Sequence, residues 1–243
     1  MLHKTQGIVL RTVRYGETSV IVNIFTELFG VQSYLVNGVR TGNVKTSRAN
    51  LLQPANILDL VVYHKENKNL LRLSDFRFAY LYHALYGDVI KNSIALFLVE
   101  LLDKTLKQPE SYPELFHFVV DSLKWMDMQN GDIANLPLYF ALRVAGLQGF
   151  RIFGKHSMEN PYLDLQEGTF ISLPSSGDHC LDERCSRITG QLLEVKSMDS
   201  LKEVKADKQI RQQLLAAYQR YYQLHLPGFS GLKSPRVLSE ILE

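Results

Sequence analysis

Cysteine is nearly missing from this chain of 243 residues: Cys180 and Cys185 are the only two. Two thiols cannot build a disulfide framework, so the expectation is a reduced, cytoplasmic protein. No apolar run approaches the ~18–20 residues needed to span a bilayer. The first residues, Met1 to Gly7, pass straight into an alternating strand pattern, without the apolar region of a signal peptide. Catalytic signatures are absent as well: there is no G-x-S-x-G elbow, H-E-x-x-H helix, P-loop or dinucleotide fingerprint. The seven histidines stand singly and the carboxylates are scattered as on solvated helix faces, so nothing argues for an enzyme. A structural zinc site wants four ligands, usually in two knuckles. His179, Cys180 and Cys185 supply one incomplete knuckle, and His156 is the only soft ligand upstream in the same region. No metal is expected.

What is present is globular: 46% hydrophobic and 21% charged residues, enough for a substantial core. The net charge of +2 hides an uneven distribution. Residues 1–80 hold ten Lys/Arg against five Asp/Glu, residues 81–199 ten against sixteen, and residues 200–243 seven against four. Positive ends around an acidic middle suggest a polyanion held by particular surfaces.

The first 80 residues read as five short strands: 4–14, 18–27, Val31–Val36, Ala55–His64 and Leu70–Phe78. Turns fall at Tyr15-Gly16-Glu17, Leu28-Phe29-Gly30 and residues 65–69. On strand one, period-two alternation puts Arg11 on the face of Val9 and Val13. Five strands in this space make a small closed barrel or sandwich, with the strand count of an OB-fold but also compatible with an SH3-like barrel. The pattern then turns helical. Ile90, Ile94, Phe97, Leu98, Leu101 and Leu102 fall at helical spacing. Ser111-Tyr112-Pro113-Glu114 has the form of a capping box for a helix to about Met128, and Pro137 opens another to about Gly149. Residues 150–183 lose the helical period, with Tyr162–Leu165 and Phe170–Leu173 as a candidate hairpin. Helical character returns at 207–226, and Ser234-Pro235 begins a short last helix.

The most unusual stretch is 37–53, which carries Arg40, Lys45 and Arg48 and no acid. It is a turn-rich loop between two strands, either functional or simply a solvated hairpin loop. With Arg11, Arg14, Lys65 and Arg72 it gives the barrel a set of cations able to neutralise phosphates. Tyr15, Phe29, Tyr34 and Tyr63 are candidate stacking surfaces for unpaired bases, although barrel core is the plainer role for most of them. Near the end, Lys233 and Arg236 flank the start of the last helix. Unpaired backbone N–H groups there could hold a carboxylate or phosphate, or the segment could be an ordinary cap with solvated cations.

Residues 7–19, Gly-Ile-Val-Leu-Arg-Thr-Val-Arg-Tyr-Gly-Glu-Thr-Ser, resemble the N-terminal region of the bacterial RecO family. So do Phe25–Gly30, Gly38-Val39-Arg40 and Leu51-Leu52-Gln53-Pro54. The R-x-x-x-Y-G-E-T-S stretch is fairly specific, and weaker similarity in order covers the whole chain. The resemblance implies an α+β protein: a five-stranded OB-fold barrel at 1–80, then a helical domain formed by 81–149 and 184–243. A small β-hairpin insertion at 150–183 would stand where many members carry a four-cysteine zinc module. Here the first cysteine pair is absent and the second has become C-x₄-C, so zinc is not carried over. The implied function is a non-enzymatic recombination mediator that binds single- and double-stranded DNA and anneals complementary strands. With RecR, it would help RecA replace the single-stranded-DNA-binding protein SSB. Arg11, Arg14, Arg40, Lys45, Arg48 and Arg72 would contact phosphates, and Lys233 and Arg236 the acidic SSB tail. Two other readings stay open: a scaffold for acidic partner tails with little direct DNA affinity, and a hydrolase, if three acids from separate elements met in one cleft.

Overall fold

The computed structural model describes residues 1–39, 48–65, 68–174 and 179–241. β1 (Leu2–Tyr15), β2 (Ser19–Thr26), β3 (Gly30–Val36), β4 (Ile57–Tyr63) and β5 (Leu71–Phe78) close into a barrel in the order β1-β2-β3-β5-β4. β3 and β5 run parallel and all other pairs antiparallel, which is OB-fold topology. Alternation drives it: Val20, Val22 and Ile24 on β2, Tyr34 and Val36 on β3, and Leu58, Leu60 and Val62 on β4 point into one core. β1 is long because it pairs with β2 along one part of its length and with β4 along another, and Gly7 and Ile8 pair on both sides. Gly7 has to be small there, since a Cβ would lie 2.5 Å from the Ile24 side chain and 2.6 Å from that of Leu60.

One irregularity resets the outer surface. The β1–β2 register shifts between Val9 and Arg11, so Leu10 is an inserted bulge residue. Val9 therefore faces the core, whereas Arg11 and Val13 pair with Asn23 and Ile21 on the outside. Arg11 does not share its face with Val9, contrary to strict alternation.

The chain divides into two compact units, Met1–Asp88 with Val99–Asp127, and Val89–Leu98 with Met128–Glu243. In the first, the barrel is accompanied by the second half of α1 (Val89–Thr105) and by α2 (Pro113–Met128). Phe25 packs edge-on against Phe116 at 5.5 Å, and Asn23 Nδ2 donates to Asp103 at 3.3 Å. The Ser111 hydroxyl donates to the Glu27 carbonyl at 2.8 Å. It is thus engaged by the barrel, and the first helical bond of α2 goes instead to the Tyr112 carbonyl. The expected capping box does not form.

Residues 79–88, leaving the barrel, are fastened by polar groups. Tyr82 donates to the Ala55 carbonyl at 2.6 Å, and Tyr86 to Asn56 Oδ1 at 2.8 Å. Asp127, only 2% exposed, accepts from the backbone N–H groups of His83, Ala84 and Leu85 at 2.9 Å each and from Tyr80 at 3.1 Å. Burial alone would raise its pKa, but these donors outweigh burial and hold it below the ordinary 3.8.

The second unit contains α3 (Leu136–Leu147), α4 (Glu183–Glu194), α5 (Lys208–His225) and α6 (Ser234–Ile241), around a small sheet. In that sheet β6 (Tyr162–Asp164) lies between β7 (Thr169–Ile171) and β8 (Cys180–Leu181). The expected hairpin thus gains a third strand. Its interior is apolar, with Leu163, Leu165 and Phe170 buried. Ser186 Oγ accepts from the Leu163 N–H at 2.8 Å, and His225 Nε2 meets the Leu165 carbonyl at 2.8 Å. Asp182 and Asp207 cap α4 and α5 through the N–H groups of Cys185 and Ile210. α6 starts at Ser234, so Pro235 sits in its first turn.

Candidate nucleic-acid interface

The outer wall of the barrel can be read from its register, because directly paired residues share a face. Starting from Val13, the outward row runs through Ile21, Leu35, Arg72 and Tyr63 and re-enters β1 at Leu2. Tyr15 and Arg11 stand on the same outer face of β1, either side of Val13. The row contains no acid. Tyr15 is 53% and Tyr63 51% exposed, and Val13, Leu2 and Arg72 are exposed beside them. No ion pair engages Arg11, Arg14 or Arg72 among the described residues.

The predicted cations therefore divide. Arg11 and Arg72 both face outward, but on β1 and β5, which are not neighbours in the barrel order. Arg14 lies on the alternate face of β1, with Thr12, whose hydroxyl donates to the carbonyl of Leu52 at the barrel end. Arg48 opens a 3-10 helix at Arg48–Leu52 and is tied to Asp75 at 3.0 Å, its guanidinium 4.5 Å above the Phe76 ring. Arg40 and Lys45 lie outside the described residues. Of the predicted aromatics, Tyr34 is wholly buried in the core, and Phe29 stacks on His64 with centroids 4.0 Å apart. Only Tyr15 and Tyr63 present an open ring. Tyr63's outward position follows from the plain alternation of β4, in which Leu58, Leu60 and Val62 face the core; the second register shift, opposite Val61 and Val62, inserts Ser74 into β5.

A different part of the barrel unit carries mixed charge. A groove of about 560 Å³ is lined by Lys4, Gln6, Glu27, Asp59, Asp75 and Arg77, among others. Three acids from separate elements do meet there, which is the condition set for a hydrolase. Each one is occupied, Glu27 by His117 at 3.4 Å, Asp59 by Arg77 at 3.2 Å and Asp75 by Arg48 at 3.0 Å. Among the described residues, no three His, Cys, Asp or Glu side chains are arranged to hold a metal ion.

The cysteine-bearing region of the second unit does not fit zinc. Cys185 is 3% exposed, and its thiol lies 3.6 Å from Gln213 Oε1. Burial, helped by neighbouring Asp182, pushes its pKa up to about 12, so the thiol stays protonated. His179 Nδ1 already accepts from Arg220 Nε at 3.2 Å. In the same unit, Lys233 and Arg236 are exposed at the start of α6. Gly231, in the left-handed region, turns the chain there, and Gln219 accepts the Leu232 N–H at 2.9 Å.

No described helix is long and apolar enough to cross a membrane. A closed OB barrel whose acid-free outer row carries Arg72, with no ion pair to it among the described residues, followed by helices and a small sheet, defines an OB-fold protein with a polyanion-compatible wall. Comparison with known proteins agrees in extent. A family model described as "Recombination protein O N terminal" matches residues 1–82, and "Recombination protein O C terminal" matches residues 86–236. The chain belongs to the recombination protein O (RecO) family. It is similar to the DNA repair protein RecO of Phocaeicola vulgatus, 32% identical over 99% of both chains. Its likeness to those of Bacteroides fragilis (31%) and Azobacteroides pseudotrichonymphae (27%) covers all of both chains.

Proposed function

We propose that the protein is a non-enzymatic DNA-binding mediator of recombinational repair. It would anneal complementary strands and, with RecR, help load RecA onto SSB-coated single-stranded DNA. The observation that carries this reading is the acid-free outer row of the barrel bearing Arg72, with Arg11 beside it on the outer face of β1 and neither in an ion pair among the described residues, in a chain whose relatives are named DNA repair proteins. Phosphates laid along that wall release counterions on meeting the guanidinium groups. Annealing needs no catalytic residue: the cations screen repulsion between two strands while base edges stay free to pair. Arg14 at the barrel end and, in sequence between β3 and β4, Arg40, Lys45 and Arg48 extend the cationic set. Lys233 and Arg236 receive the acidic tail of SSB, aided by the positive end of the α6 dipole.

The test is salt titration of binding to unpaired oligonucleotides. Changing Arg11, Arg14 and Arg72 together to Ala should flatten the slope of log affinity against log salt by about two, at ~0.7 per phosphate contact. An unchanged slope removes these residues from the site. The tied state of Arg48 and Arg77 favours a second reading, in which the barrel's field is too weak for DNA and the protein scaffolds acidic partners. That reading predicts negligible affinity for bare DNA with full binding of an SSB tail peptide.

A further inference from the structure

OB-folds commonly take oligonucleotides across the β2–β3 face, between the β1–β2 and β4–β5 loops. In this protein one end of that face is closed by its own unit. Asn23 is bonded to Asp103, Phe25 is packed on Phe116, and the β2–β3 turn abuts the chain at Glu110. A Cβ on Gly30 would collide with the Glu110 carbonyl oxygen, so that end has no room for a ligand. The other end, with Ile21 and Leu35, stays open, and its outward row continues onto β5 and β4 through Arg72 and Tyr63.

We infer that single-stranded DNA leaves the β2–β3 face sideways, toward β5 and β4, and that Tyr63 is its base-stacking platform, with Arg72 seating the adjoining phosphate. This deepens the DNA-binding reading and rests on it. Three observations select the pair. Tyr63 and Arg72 are direct cross-strand partners on the outer face, so the two side chains leave the sheet from neighbouring positions. The Tyr63 ring has no hydrogen bond or ring contact among the described residues and is half exposed. Arg72 has apolar neighbours on both sides of the row, Tyr63 and Leu35, in contrast to Arg48 and Arg77, each held by a carboxylate. A cation flanked by open apolar surface and an exposed ring suits an unpaired nucleotide, which offers a phosphate and a π-face together. Duplex DNA offers only the phosphate, because its bases are stacked on each other. From Val13 on β1 to Tyr63 on β4 the row crosses four strand-to-strand steps, roughly 20 Å along the surface, and Tyr15, next to Val13 on the same face, places a second ring near the far end of the path.

The experiment measures affinity for an oligothymidylate of roughly 20 nucleotides and for a duplex of equal length. Tyr63→Ala should weaken single-strand binding about five- to a hundred-fold, leaving the salt slope and duplex affinity unchanged. Tyr63→Phe should keep wild-type affinity, and Tyr63→Leu, which retains apolar bulk without a π-face, should behave like alanine. Arg72→Gln should lower the single-strand salt slope by about 0.7. Single-strand affinity of Tyr63→Ala within twofold of wild type overturns the inference, as does equal loss on single strand and duplex. If the wild-type protein itself ignores single-stranded DNA, the DNA-binding reading fails first, and that result is distinguishable from failure of Tyr63 alone.

Discussion

The outer wall of the barrel and the seam at residues 79–88 use polar side chains in opposite ways. On the wall, Arg11 and Arg72 stand exposed with no carboxylate against them among the described residues. In the seam, Asp127 is surrounded by four donors, and the hydroxyls of Tyr82 and Tyr86 each reach an oxygen near the start of β4. Groups fully matched within the protein hold it together, and groups left unmatched are available to something else. Binding and stability should therefore separate by location.

The largest expected effect belongs to the seam. Asp127→Ala strands three backbone N–H groups and the Tyr80 hydroxyl in a buried place and should cost about 3 kcal/mol or more in denaturant unfolding. Its contribution also has a definite pH dependence. Because the folded carboxyl titrates below its ordinary 3.8, its stabilisation is complete above that value and is lost as pH falls through it to the lower folded pKa. Urea midpoints measured on acidification should show this for the wild type and much less for Asp127→Asn. The comparison breaks if the folded fraction of either variant has lost DNA affinity. Gly7→Ala comes next: methyl overlap with Ile24 and Leu60 should cost about 1–3 kcal/mol, read as a lower melting temperature. The smallest effect is expected of Arg48→Ala. An exposed ion pair and a ring contact are together worth about 1 kcal/mol, and the salt slope for DNA should change less than it does for Arg72→Gln. A larger change in slope would mean that Asp75 releases Arg48 when DNA arrives.

Strands and helices were legible because burial imposes periods of two and 3.6, and Val20-Ile21-Val22 or Ile94-Phe97-Leu98 show these directly. The sheet's irregularities were not. A bulge at Leu10 in β1 and an extra residue, Ser74, in β5 reverse which side chains of those strands face out, and nothing in the local residue types demands either one. Ser111 had the spacing of a cap, yet its hydroxyl serves the Glu27 carbonyl, 84 positions away. Arg48 looked as available as Arg72, and only the fold sets Asp75 beside it. Asp127 resembled one more solvated helix acid, since its partners, backbone N–H groups of a distant segment, leave no trace in composition. In each case long-range pairing decides the outcome, and such pairing lies outside any window of neighbouring residues.

The barrel is stitched unevenly. β1 shares long ladders with both neighbours, but β3 and β5 meet through two residue pairs, Tyr34 with Leu71 and Leu35 with Arg72. That short parallel junction is where the cylinder should breathe first, and its amides should trade protons for deuterons ahead of those in the β1 ladders. A nucleotide chain draped over Leu35, Arg72 and Tyr63 would act as an external clasp across the gap. Exchange at Leu71 and Arg72 should then slow on binding, and occupancy would be recorded in the integrity of the cylinder itself.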